Sequence, residues 1–297
     1  MRFLRLMLLM FWPGLTLAQP ITITDSRGPQ SFDSTPKRVI AGNWMLAEML
    51  LELDIVPVGI ADLAGYNKWV VAPEMPETVA DIGLRSEPNL EVVIDLKPDL
   101  ILLSDDGLAM AEHAARIAPV LHFDAYSDKH DNIPAGRKNF RTLAKLFGQE
   151  RLAEAKLAAM DARLAEQAKT LKEAFGDDIP QVTLIRFLDE KRAVIYGENS
   201  PAFAALSALG LSSEIDVPKS KWGVGYRRVR KLGSVTQGKV MYFEPFDQQE
   251  QLFDTALWQA MPFVQSKNLS ALPAIWSYGG PLTVGRVADA IFDALIP

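Results

Sequence analysis

Short apolar runs alternate with helical amphipathic stretches along most of the chain. In the first half, residues 38–41, 56–61, 100–103 and 120–124 read as brief buried strands, with helices over 45–53 and 110–117. A repeating strand–helix rhythm predicts a parallel α/β sheet. The second half repeats it, with strands over 182–188, 193–196 and 240–243 and helices over 201–209, 253–260 and 282–295. Between the halves, residues 138–175 are rich in Ala, Leu, Lys, Glu and Gln and contain no proline. Gly148 interrupts this stretch, and Gly176-Asp177-Asp178-Ile179-Pro180 stops it with a C-cap followed by proline. As one helix, 149–175 would run about 40 Å. The pattern predicts an α/β protein of two lobes with mainly parallel sheets, joined by a single long helix. The divisions are a first lobe over 19–148, a connecting helix over 149–176 and a second lobe over 177–297.

The first eighteen residues stand apart. Arg2 and Arg5 precede an apolar run over 6–18 that is too short to span a bilayer comfortably. Thr16-Leu17-Ala18 before Gln19 completes the layout of a cleavable secretory signal, which predicts export. The chain has no cysteine. That excludes a disulfide scaffold, a lipid-anchoring cysteine, thiolate zinc and iron–sulfur clusters. With a formal charge of −6 and no basic stripe, nothing suggests nucleic acid. These features together favour a periplasmic, unanchored, monomeric protein.

Catalytic signals are sparse. His113, His122 and His130 lie at no tight ligand spacing, so they read as solvated or core residues. There is no P-loop, no GxGxxG and no GxSxG, and Gly223-Val-Gly225 reads as a turn. The candidates are instead aromatics at element ends. Trp44 follows the first strand, Tyr66 and Trp69 lie in the loop after the second, and Trp222 sits beside glycines. Trp276 and Tyr278 close an extended segment over 274–277, before Gly279-Gly280. Open α/β sheets form ligand crevices at the carboxyl ends of their strands, so aromatics from both halves suggest an apolar cleft between lobes. Trp258, on an amphipathic helix, reads as core.

The run Gly83-Leu-Arg-Ser-Glu-Pro-Asn-Leu-Glu-Val-Val-Ile-Asp-Leu-Lys-Pro-Asp-Leu-Ile-Leu-Leu103 is the most specific segment. Leu90, Val93, Ile94 and Leu96 keep helical spacing, Pro88 suits the lead-in to a helix, and Lys97-Pro98-Asp99 ends it ahead of a buried strand. This run resembles the periplasmic solute-binding proteins that feed metal-chelate ABC importers. Its Leu84–Pro88 portion resembles the arginine-bearing segment of the ferric-hydroxamate (ferrichrome-type) members. IVPVGIAD (55–62), ARIAP (115–119), Trp222-Gly223, LWQAMPFV (257–264) and LPAIWSYG (272–279) extend the resemblance over nearly the whole mature chain. It implies that Arg85 donates to the hydroxamate oxygens and that Trp44, Trp69, Trp222, Trp276 and Tyr278 line the cleft. It implies an iron(III)–siderophore ligand, no resident cofactor or metal, no catalysis, and an inner-membrane ABC permease as partner.

Two positions depart from that family. Where its members carry a ligand-bonding tyrosine, near Gly107, this chain reads Ser104-Asp105-Asp106-Gly107. Asp105 and Asp106 there read either as carboxylates that simply face water, the usual place for Asp, or as a pair at the cleft mouth that would favour a cationic complex such as ferrioxamine B. Docking on the permease uses one carboxylate per lobe, which the resemblance assigns to Glu91, with Glu112 second. In the other lobe the matching stretch is the basic Tyr226–Lys231, which leaves Glu214, Glu250 or a reversed charge pairing. The same scaffold could hold cobalamin, haem or a catecholate siderophore. A periplasmic siderophore-processing hydrolase would need a nucleophile–base or metal constellation.

Overall fold

The computed structural model describes residues 19–296, so the secretory leader expected over 1–18 lies outside them. The described chain begins with an antiparallel hairpin of β1 (Ile21–Asp25) and β2 (Gly28–Phe32). Asp25 closes its turn by accepting the Arg27 backbone N–H and also accepts that of His122, which ties the hairpin to the neighbouring sheet.

The first lobe is built on β3 (Val39–Ala41), β4 (Gly59–Ile60), β5 (Ala80–Asp81), β6 (Leu100–Leu103) and β7 (Val120–His122). These pair in the order β5-β4-β3-β6-β7, all parallel. The chain enters at the central β3, works outward to β5, then returns to β6 on the other side. That reversal opens a crevice between the carboxyl ends of β3 and β6, where such sheets bind ligands.

The second lobe holds β8 (Val182–Phe187), β9 (Arg192–Tyr196), β10 (Val224–Arg228), β11 (Lys239–Phe243) and β12 (Leu269–Leu272), in the order β10-β9-β8-β11-β12. Strands β8, β11 and β12 are parallel, whereas β8, β9 and β10 are antiparallel. This sheet is therefore mixed. Asp189 accepts the backbone N–H groups of Lys191 and Arg192 in the link from β8 to β9. So tight a turn reverses the chain, because a parallel crossover needs a dozen residues or more. Two local expectations change. Val224-Gly225 opens β10 rather than a turn, and the strand near residue 274 ends at Leu272 because Pro273 has no N–H to continue the ladder.

The helix Asn132–Phe147 stops at Gly148, which takes a left-handed φ of 66°. The helix Glu150–Phe175 then runs 26 residues, about 39 Å. It buries Ala153, Leu157, Met160, Leu164 and Leu171 on one stripe. It packs on Asn132–Phe147, on Pro201–Ala208 and on the final helix Thr283–Leu295, and so touches both lobes. A buried ionic group reinforces this junction. Glu48, on the helix Trp44–Glu52, accepts from Thr283 Oγ1 (2.7 Å) and the Gly280 N–H (3.2 Å) and pairs with Arg286. Arg286 and Lys156 both reach Glu52, at 2.8 and 2.7 Å. Burial pushes the Glu48 carboxyl up, against the pull of Arg286. Gly279 lets the chain pass here, since a Cβ would collide with the Glu48 carboxylate.

Candidate functional site

A cleft lies between the lobes, about 760 Å³ of empty space once its open mouth is counted. One wall comes from the carboxyl ends of β3 and β6, and the other from the loop before β10 and the segment after β12. Asn43 caps the helix that follows β3 by accepting the Leu46 N–H and donates to Ser104 Oγ, which holds the ends of β3 and β6 together. Trp44 sits at the first turn of that helix, with Nε1 donating to the Asp62 carbonyl at 3.0 Å.

From Trp44 a continuous aromatic wall crosses the cleft. Trp44 meets Trp276 edge-to-face at 4.7 Å, Trp276 meets Tyr278 at 5.2 Å, and Tyr278 meets Trp222 at 5.5 Å. Trp222 stacks on Tyr126 at 5.2 Å, returning to the first lobe. Tyr126 also donates its hydroxyl to the Gly279 carbonyl at 2.8 Å. Trp222 is 39% exposed, and its position depends on Gly223. That residue has φ 64°, and a Cβ there would strike the Ser200 backbone.

Arg85 stands on a loop closed by the bridge between Gly83 and Pro88. Its guanidinium lies 4.1 Å over Trp44 and 5.7 Å from Trp276, with Nε 3.9 Å from Asp62. Planar cations stack on indole faces through the ring quadrupole. Stacked this way, Arg85 offers a fixed cation at one end of the aromatic wall.

Asp105 lines the cleft but does not stand alone. One oxygen is 3.0 Å from His122 Nε2, and the other accepts from Lys221 Nζ at 3.0 Å. Lys221 belongs to the opposite lobe, beside Trp222. Lys221 offsets part of the attraction that a free Asp105 carboxylate would exert on a pendant ammonium. The side chain of Asp106 is outside those described.

Two expected cleft residues lie elsewhere. Tyr66 is fully buried in the core, its hydroxyl donating to the Pro73 carbonyl at 2.6 Å, and burial pushes that hydroxyl far up. The short helix Leu63–Trp69 turns it inward. Trp69 is half-buried and sits against Arg186 at 5.3 Å, outside the set of residues that line the cavity. Conversely, Asn43, Ser104, Asp124, Tyr126 and Tyr226 border the cleft without having been singled out. Tyr126 follows β7, and the rule that found the other aromatics would have found it. Trp258 is core, stacked on Phe253 at 4.6 Å.

Glu91 is exposed in the first turn of the helix Leu90–Asp95, and Glu112 is exposed in that of Ala111–Ala114. Glu214 accepts three backbone N–H groups from Thr236, Gln237 and Gly238. Burial would raise its carboxyl, but these donors hold it below the usual range. It is committed to that turn, whereas Glu250 is exposed.

Residues 39–275 match the family model described as periplasmic binding protein. The iron(3+)-hydroxamate-binding protein FhuD of Escherichia coli K12 is 32% identical over 262 residues, 88% of this chain and 87% of its own length. The crystal structure of Fe3+–Desferal-bound siderophore-binding protein FhuD from Vibrio cholerae aligns with TM-score 0.84 and 42% identity, covering 87% of this chain and 97% of that one. The periplasmic catecholate-siderophore binding protein VctP from Vibrio cholerae shares the fold, with TM-score 0.68 and 17% identity over 93% and 98% of the two chains.

Proposed function

The chain belongs to the periplasmic binding protein family, and on that premise we propose that it captures a ferric hydroxamate siderophore and hands it to an inner-membrane ABC importer. The observation that carries this reading is Arg85 stacked on Trp44 at the end of an aromatic wall built from both lobes. A ferric trihydroxamate has a bulky apolar rim and partly negative oxygens around the iron. Trp44, Trp222, Trp276 and Tyr278 cover the rim, each able to bury up to about 150–250 Å². The Arg85 fork donates charge-assisted hydrogen bonds to the oxygens. In this reading the iron stays in its chelate and the protein contacts only the chelate's oxygens and rim. The overall likeness to the Desferal-bound Vibrio cholerae protein supports the same ligand class.

In this reading the protein works in the periplasm as a monomer, after its leader is removed, and catalyses no reaction. Its lobes are 19–148 and 177–297, with 149–176 between them. Glu91 docks the first lobe on the permease, with Glu112 as the alternative and Glu250 as the exposed acid of the second lobe. Titration of intrinsic fluorescence with ferrichrome and ferrioxamine B tests the ligand class, because three tryptophans border the cleft. Saturable quenching by the ferric complexes is expected. No quenching and no retained colour after desalting, with either complex, would falsify the reading.

A further inference from the structure

Arg186 is the penultimate residue of the buried β8 and is only 6% exposed. Its Nη2 donates to the Ile275 carbonyl at 2.7 Å and its Nε to the Tyr196 hydroxyl at 3.2 Å. Its Nη1 is buried with no hydrogen-bond partner, and among the described residues no carboxylate forms a salt bridge with the guanidinium. Three aromatic rings surround it instead, Trp69 at 5.3 Å, Trp276 at 5.5 Å and Phe243 at 5.7 Å. Cation–π contacts recover part of the desolvation cost but leave the charge itself unneutralised. Field lines from an unpaired charge in a low-dielectric wall emerge where the wall meets solvent. Here that boundary includes Trp276, which lines the cleft and also faces Arg85. Two guanidinium groups, one from each lobe, thus flank a single indole at the same end of the aromatic wall. Asp62, 3.9 Å from Arg85, offsets part of the charge at that end, whereas at the other end Asp105 pairs with Lys221 and Asp124 lies 3.8 Å from His130.

We propose that Arg186 is a specificity-determining cation of the ligand cleft, selecting ferric hydroxamates whose periphery carries negative charge, such as a free carboxylate, over neutral or cationic ones. Nη1 is buried and Arg186 stands behind Trp276 rather than on the cavity surface, so it acts on such a ligand through its field and not by a direct hydrogen bond. This inference rests on the ferric-hydroxamate reading and adds to it the sign of charge that the cleft favours near Trp276.

Ferrioxamine B and its N-acetyl and N-succinyl derivatives share one iron chelate but carry one positive charge, none and one negative charge. Their affinities for the wild type, Arg186→Gln and Arg186→Lys are measured by fluorescence titration at low salt, with thermal melts confirming that each variant folds. Arg186→Gln is expected to weaken the succinyl complex about tenfold and the acetyl complex less. Ferrioxamine B itself should change by no more than about twofold. Arg186→Lys keeps the charge and should keep the wild-type dependence on ligand charge. An equal loss for all three ligands would mean that Arg186 only braces Trp276, and no change in any would remove it from the site. Either result overturns the proposal. If Arg186→Gln does not fold, an equal loss across the three ligands in Arg186→Lys overturns it alone. Failure of the wild type to bind any of the three would instead overturn the ferric-hydroxamate reading.

Discussion

Removing the Arg85 guanidinium takes away both the cation lying on Trp44 and the donors at that end of the wall. Arg85→Ala is expected to weaken ferric-hydroxamate binding by about 1.5–3 kcal/mol, the range for a lost hydrogen bond to a charged group, with an unchanged far-ultraviolet circular dichroism spectrum. Wild-type affinity in that variant would take Arg85 out of the site. Tyr66→Phe is the contrasting case. It deletes one buried hydrogen bond, to the Pro73 carbonyl, so stability to urea should fall by about 0.5–1.5 kcal/mol while affinity holds. A clear loss of affinity would return Tyr66 to the ligand wall. At this scale the sequence showed Trp44, Trp222, Trp276 and Tyr278 because each lies next to an element end. Tyr66 was mis-sorted because a tyrosine on a short helix beside glycine looks the same whether it turns inward or outward. The partner of Asp105 lies 116 residues away, so no local pattern announces it. Arg186 sits in the apolar run of β8, where only the fold brings Trp69 and Trp276 to its sides.

The elements most legible in the sequence were those whose apolar runs are buried on both faces, such as β6 and β8. The hairpin β1–β2, the brief β5 and the mostly exposed β10 were not, because pairing rather than apolar patterning fixes their backbones. The hairpin carries its own test. Burial alone would raise the Asp25 carboxyl, but the N–H groups of His122 and Arg27 and the Arg27 guanidinium outweigh it and hold the group below its ordinary value. A depressed carboxylate stabilises the fold above its unfolded pKa of about 3.9 and loses that contribution as pH falls through the folded value. Asp25→Asn should therefore lower stability at pH 7, by about 1–3 kcal/mol. Its deficit against the wild type should shrink below about pH 4. A constant deficit across urea titrations from pH 7 to 3 would mean that the charge of Asp25 contributes nothing.

At the scale of the molecule, the two-lobed frame and its long helix were legible from the repeated rhythm and the proline-free stretch between the halves. The antiparallel half of the second sheet was not, because strand direction depended on one turn at Asp189. Docking belongs to this scale as well. Glu91→Arg should leave siderophore affinity intact and abolish uptake in cells that rely on this protein, since reversing a charge in a docked pair costs several kcal/mol. Normal growth on siderophore iron would move docking to another acid, with Glu112 next.

The helix Glu150–Phe175 packs against both lobes, and the ionic group of buried Glu48 with Arg286, Glu52 and Lys156 ties them together. We expect such a frame to change shape little when cargo arrives. A permease that grips the two tips then meets nearly the same object whether it is loaded or vacant. Vacant carrier becomes a competitor for its own importer, and flux follows the loaded fraction rather than the total amount. When siderophore is limiting, overproducing this protein should slow iron uptake per cell. A rise in uptake with carrier level would show that the permease tells the two forms apart.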